Sequence, residues 1–351
     1  MTDYRFHDHE CHRQLMQHAQ TMNTDVNHLK HLVGEENRLK AFSVSGGGLF
    51  FDFSRQRVNA ETMQHLLDLA DAAGAADRFA DMADGKKVNV TENRAALHMA
   101  ARSFSERPIR VDGQDVKADL RQVRDHVRRF SRKVHDGAVQ AGCGMPFRHI
   151  VVVGIGGSYL GTEFVACALE AFADKDMTLD FLANVDIHNF ARIWSRIDAQ
   201  RTLWIVISKS YTTAETMANE DLIRRYLTAA GIEPSRHMAM VTSKGSPGDR
   251  GQGQGVAAFH MFDYIGGRYS VSSAVGGLPL SLYLGYDRFE RFLKGAEQMD
   301  LHTLSARPDR NVPLIAALLT VWNTRFLGYP QSAIIPYASP LGKLSAHVQQ
   351  L

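Results

Sequence analysis

The chain has 351 residues, 44% hydrophobic and 22% charged, the balance of a globular protein, and this argues against disordered, collagen-like and membrane-spanning classes. Its length suggests two domains, or one large domain with an appendage. Lys and Arg total 40 against 38 Asp and Glu, too even a balance for a chain built to neutralise nucleic-acid phosphates, so the expected partner is a small molecule.

The opening "MTDYRFHDHECH" carries acidic residues and no apolar run, against a secretory or transit segment. Within it His7, His9, Cys11 and His12 read as a solvated helix start rather than a metal site. Cys11, Cys143 and Cys167 are far apart and form no CxxC pair, so a reducing, cytoplasmic setting is expected. From Asp8 to about Arg132 the pattern is mainly helical: "ETMQHLLDLADAAGAADRFADM" sets Met63, Leu66, Leu67 and Leu69 at helical spacings. "GGGLFFDFS" reads as a turn followed by a strand.

After Pro146 the character changes. "HIVVVG" is a short β-branched strand ending in glycine, and "LDFLAN", "LWIVIS", "MAMVTS" and "AAFHM" follow as further strands. Between them lie the helical patterns "GTEFVACALEAF", "NFARIWSRI" and "ETMANEDLIRRYLTAA". Alternation of this kind predicts a parallel sheet covered by helices on both faces, with ligands at the carboxyl ends of the strands. "GSPGDRGQGQG" reads as a polar loop. From about Asp287 a second unit is expected, with a helix in "VPLIAALLTVWNTRFLG", a strand "SAIIPY" and a helix "LGKLSAHVQQL". One strand cannot bury a core, so this unit reads as incomplete, leaving Leu314, Leu318 and Val321 without a partner.

Three segments carry chemistry. In "VVVGIGGSYLGTEF" Gly154 and Gly156 begin a GxGxxG that Tyr159 breaks, and Thr162 and Glu163 stand where a P-loop needs lysine and a hydroxyl. What remains is a glycine turn presenting Ser158 at a helix start, suited to a phosphate or hydroxyl contact or simply to turning the chain. "SKSYTTAET" gathers Ser208, Lys209, Ser210, Thr212 and Thr213 at another strand's carboxyl end. Four hydroxyls and an ammonium before a helix suit a phosphomonoester without a metal; the bland alternative is a capping box of Thr212 with Glu215. "DYIGGRYSVSSAVGGLPL" sets Arg268 after two glycines, either aimed into a site or held in a buried salt bridge.

Taken in order, "GIGGSYLG", "SKSYTTAET" and "GGRYS", with "VNVTENRAALHMAAR" and the closing "HVQQL", resemble the glucose-6-phosphate isomerase family over nearly the whole chain. The resemblance implies an α/β fold of sugar-isomerase three-layer sandwiches with parallel sheets. It sets a mainly helical region at 1–145, a first phosphosugar-binding domain at 146–286 and the start of a second at 287–351. It implies interconversion of glucose 6-phosphate and fructose 6-phosphate through a cis-enediol, no cofactor and no metal, and a cytoplasmic homodimer. Ser158, Ser208, Lys209, Ser210 and Thr213 then resemble the phosphate and sugar contacts, and Arg268 the group that stabilises the enediolate. Gln350 resembles a glutamine beside the catalytic glutamate, which by similarity falls beyond Leu351, so the chain alone is expected to be inactive. Tyr159 and Thr162 stand where many members have aspartate and proline, and Ser272 where a tryptophan is common. The competing reading is a sugar-phosphate sensor module without catalysis, since this sandwich also serves in regulation.

Overall fold

A computed structural model describes residues 9–249 and 255–351. His7, and residues 250–254 of the expected polar loop, lie outside those. The chain divides into two compact units: Met1–Ala83 with Gly295–Ala333, and Asp84–Lys294 with Ile334–Leu351. This grouping differs from the boundaries at 145 and 286 because residues before 145 pack into the core of the second unit.

In the first unit the helices Glu10–Met22, Ala60–Ala72 and Val312–Val321 bury one apolar face each. Leu15, Met22, Leu66, Leu69, Ile315, Leu318 and Trp322 meet in one core. Leu318 is therefore buried, and Leu314 and Val321 pack partly buried against the same core, so this helix is not the unpartnered element that the sequence suggested. His12 is also buried, its ring 5.4 Å from that of Phe326, and the helix start it belongs to is not fully solvated. The pattern over 61–82 breaks into Ala60–Ala72 and Ala75–Ala83, with Gly74 at φ +60° in the left-handed position that ends helices. "GGGLFFDFS" supplies the second strand of a hairpin, Leu49–Asp52 paired with Ser43–Gly46. Arg38, buried, ties the chain that follows: its guanidinium donates to the carbonyls of Ser54, Gln56 and Val58 and to Glu35.

The second unit is the sandwich. Its elements in chain order are α1 (Val116–His135), β1 (His149–Val153), α2 (Leu160–Ala168), β2 (Thr178–Leu182), α3 (Ile187–Trp194), β3 (Thr202–Ile207), α4 (Ala214–Ala229), β4 (Met238–Ser243), β5 (Ala257–Met261), α5 (Ala274–Leu284) and α6 (Leu344–Gln350). The five strands form one parallel sheet in the order β2-β1-β3-β4-β5. All five strands expected of this sheet from the sequence are present.

The period of two along each strand sorts the core into layers. Ile150, Val152, Leu203, Ile205, Ile207 and Val241 face α1, α2 and α5, while Val151, Val153, Trp204, Val206 and Met240 face α3 and α4. Both faces are buried, which is why the strands read as continuous apolar runs. Val127, Phe130 and Val134 of α1 belong to the first of these layers, so α1 groups with the sheet although it precedes Pro146. Residues 332–337 form no strand, and Ile335 and Tyr337 stand 68% and 98% exposed.

Candidate functional site

The chain leaves β1 for one edge of the sheet and returns to β3 on the other side of β1, so the sheet changes direction between these two strands. Crevices at such switch points, beyond the carboxyl ends, are where doubly wound sheets bind ligands. Here β1 and β3 run in register, Val153 opposite Val206. The "GIGGS" turn follows the first and the "SKSYTT" loop the second.

The β3 loop is a cluster of hydroxyls. Ser208 is buried; its Oγ lies 3.4 Å from Thr213 Oγ1 and accepts the Tyr211 amide at 3.1 Å, while Ser210 Oγ and Thr212 Oγ1 are 2.6 Å apart. The N-cap of α4 is Thr213, not Thr212, and its side chain makes no cap hydrogen bond. The Thr212–Glu215 capping box is thus not formed, and the hydroxyls are not consumed in closing the helix. Tyr211 holds the loop in shape. It sits at φ +57°, and its hydroxyl donates to Glu220 Oε2 at 2.5 Å while Glu220 accepts from Arg224 at 2.8 Å. Burial, reinforced by the Glu220 carboxylate, keeps the Tyr211 proton far above its usual range. Lys209 Nζ is 3.0 Å from Asp263 Oδ1, and Arg94 reaches the same carboxylate at 4.0 Å. The Lys209 hydrogen bond holds Asp263 below the ordinary carboxylate range.

The β1 turn and the Arg268 segment are pressed together. Gly156 has φ +56° and opens a 3₁₀ turn ending at Ser158, just before α2. A Cβ on Gly157 would stand 2.4 Å from Gly267 C and 2.7 Å from Arg268 N, so glycine is required for the two backbones to approach. Ser270 Oγ fastens the contact, donating to Gly267 O at 2.7 Å and lying 3.2 Å from Gly157 O. Arg268 is consequently exposed rather than buried in a salt bridge. It lines a cleft with Glu92, Arg94, His98, Lys209 and Asp263. Its Nη1 approaches Gln350 O at 3.4 Å, and the Gln350 side chain lies over Gly156, its Oε1 buried without a hydrogen-bond partner.

Ser158, Ser208, Lys209, Ser210, Thr213, Arg268 and Gln350 therefore lie on segments at the carboxyl end of one sheet. Sequence reasoning did not single out Gly157, Tyr211, Glu220, Asp263 or Arg94. Only the Glu220–Arg224 spacing of four on a helix was visible as a pairing signal; the rest depend on contacts between distant segments. Thr162 and Ser272, two of the departures from the family pattern, each bury a hydroxyl that has no hydrogen-bond partner.

The family model of phosphoglucose isomerase matches residues 52–351. Over 356 aligned positions the chain is 55% identical to a glucose-6-phosphate isomerase of Desulfosudis oleivorans, covering 100% of this chain and 65% of that protein. It is 40% identical to the cytosolic glucose-6-phosphate isomerase of Arabidopsis thaliana, over 92% of this chain and 59% of the relative. Among solved structures, a glucose-6-phosphate isomerase from Chlamydia trachomatis superposes with a TM-score of 0.88 at 31% identity, covering 98% of this chain and 65% of the other. The chain thus spans between 59% and 65% of the length of these relatives.

Proposed function

This chain belongs to the phosphoglucose isomerase family, and on that premise we propose that it binds glucose 6-phosphate and fructose 6-phosphate and serves their interconversion through a cis-enediol. The observation that carries the reading is the β3 loop, where hydroxyls of Ser208, Ser210 and Thr213 stand before α4 without serving as its cap. Hydroxyl donors backed by the positive end of a 16-residue helix suit a phosphate dianion. Ser158, at the end of the neighbouring turn, supplies a further contact from the other side of the switch point. Lys209, already balanced by Asp263, adds charge without standing as a lone cation.

The reaction opens the hemiacetal ring and then moves a proton between C2 and C1. As the C2 proton leaves to a base, its bonding pair forms the C1–C2 double bond and the carbonyl pair retreats to O1, giving an enediolate with its charge on O1. The O2 proton then passes to O1, and as the O2 pair re-forms a carbonyl at C2 the double-bond pair takes a proton at C1, yielding the ketose. Arg268 offsets the charge on the enediolate oxygen; its exposed, forked guanidinium at the cleft suits the task. No base is assigned among the cleft carboxylates described, because Glu92 is paired with Arg94 and Asp263 with Lys209. Gln350 extends the sugar-binding side of the same site.

A homodimer, a cytoplasmic setting and no nucleic-acid partner belong to this reading. The Arabidopsis relative is named cytosolic, and no described helix is long and apolar enough to cross a membrane. The test is calorimetric titration with fructose 6-phosphate beside unphosphorylated fructose. The proposal expects the phosphate ester to bind at least tenfold more tightly; equal affinities would refute the phosphate seat.

A further inference from the structure

Away from the sugar-phosphate cleft, the first compact unit holds a second group of chemically capable side chains. Glu61 and His65 are four residues apart on the helix Ala60–Ala72 and share one face of it, and that face looks onto His18 of the helix Glu10–Met22. One ligand atom from each of the three lies within 4.8 Å of the other two. From this geometry we infer that His18, Glu61 and His65 form a binding site for a divalent transition-metal ion of the zinc class.

The hydrogen bonding around His18 carries the inference. Thr62, fully buried, donates its hydroxyl proton to Asn59 Oδ1 at 2.8 Å and accepts the Asn59 amide at 3.2 Å. With that proton committed, the 2.7 Å contact between His18 Nε2 and Thr62 Oγ1 makes Nε2 the protonated nitrogen. The lone pair of His18 then sits on Nδ1, which faces Glu61 Oε2 at 3.6 Å, while His65 Nε2 faces the other oxygen, Oε1, at 3.7 Å. A bare imidazole nitrogen and a carboxylate oxygen repel unless a cation stands between them. A divalent metal ion supplies that cation. The Thr62–Asn59 pair fixes the tautomer and orientation of His18 in the manner of an outer-shell partner of a ligating histidine. His65 Nδ1 is buried without a hydrogen-bond partner, so no competing bond fixes that ring.

Two imidazoles and one carboxylate are a zinc donor set, with a fourth position left for water. Tetrahedral zinc places its ligand atoms about 3.4 Å apart, closer than they stand here. Glu61 already sets one oxygen 3.6 Å from His18 Nδ1 and the other 3.7 Å from His65 Nε2, so the closure falls to a turn of the His65 ring together with the 65% exposed Glu61 side chain. Bound metal would join the two helices and stabilise this unit.

The protein, first stripped with a chelator, is titrated with zinc chloride by calorimetry, and its melting is followed with and without zinc. The expected result is one saturating equivalent, a raised melting midpoint, and an absorption-edge spectrum showing two imidazole nitrogens with oxygen. His65→Ala and Glu61→Gln, both at partly or largely exposed positions, each weaken zinc binding by tenfold or more while the far-ultraviolet spectrum stays that of the parent. His31→Ala, beside the exposed Asp25, leaves the affinity unaltered. Failure to saturate at one equivalent, or equal affinity in the parent and in both variants of Glu61 and His65, overturns the site.

Discussion

Gly157→Ala is the substitution whose consequence follows most directly from the geometry of the cleft. The new methyl would lie 2.4 Å from Gly267 C and 2.6 Å from Gly267 O. Both are backbone atoms, so no side-chain rotation relieves the clash. Restoring van der Waals separation requires the Gly267–Arg268 segment to retreat by about 1 Å. The Ser270 contacts that fasten it, at 2.7 and 3.2 Å, must stretch or break. Overpacking of this kind costs about 1–3 kcal/mol in stability, and if Arg268 has its proposed transition-state role, displacing it by 1 Å costs about 100-fold. The β3 loop belongs to another strand and should be spared. Binding of a sugar phosphate with a hydroxamate in place of the enediolate is therefore expected to weaken about 100-fold. Inorganic phosphate should bind within about threefold of the parent protein, since the seat proposed in the β3 loop does not move. Calorimetry with both ligands, and a thermal melt, measures this. Parent-like affinity for the hydroxamate together with an unaltered melting midpoint would refute the account of why glycine occupies this position.

Thr213→Ala removes one hydrogen bond to a charged group, about 1.5–3 kcal/mol, and should raise the dissociation constant for a competitive sugar-phosphate inhibitor at least about tenfold; a folded variant with parent affinity speaks against the β3 loop as the seat. Arg268→Lys keeps the charge and loses the fork, so turnover should fall about 100-fold with little change in ground-state binding, as steady-state kinetics of the active enzyme would read. Arg38→Ala leaves three buried or partly buried carbonyls without their donor and should lower stability to denaturant by roughly 3 kcal/mol or more. His237 is buried and neutral: Nδ1 donates to Thr202 O at 3.0 Å and Nε2 accepts the Gly142 amide at 3.0 Å. Its pKa is held down by burial first, so the folded state binds fewer protons than the unfolded. Stability is then full above the unfolded value near 6.5 and falls as pH drops below it through the lowered folded value. Melts between pH 7.5 and 5 should show this loss, and His237→Gln should show less of it.

The sheet was legible because buried parallel strands advertise themselves as β-branched runs ending in glycine or serine, and each of the five stands where its run occurs. Helix partners were harder. The apolar helix Val312–Val321 has the right pattern, yet nothing in its own sequence says that it packs with Leu15 and Leu66, some 250 to 300 residues earlier. The apolar run in residues 332–337 looks like a strand, yet it forms none. The candidate site divides the same way. Hydroxyl clustering and glycine turns are local and could be read directly, so Ser158, Ser208, Ser210, Thr213 and Arg268 were nameable. The Gly157–Gly267 approach, the Tyr211–Glu220 anchor and the Lys209–Asp263 pair join separate segments, and distance in sequence concealed them.

The most direct test of the central claim is a crystal structure of the protein with fructose 6-phosphate bound. The account predicts the phosphate seated at the switch point, within hydrogen-bond distance of the Ser208, Ser210 and Thr213 hydroxyls, with C1 and C2 turned toward Arg268. A phosphate bound elsewhere, with these hydroxyls left to water, would contradict it.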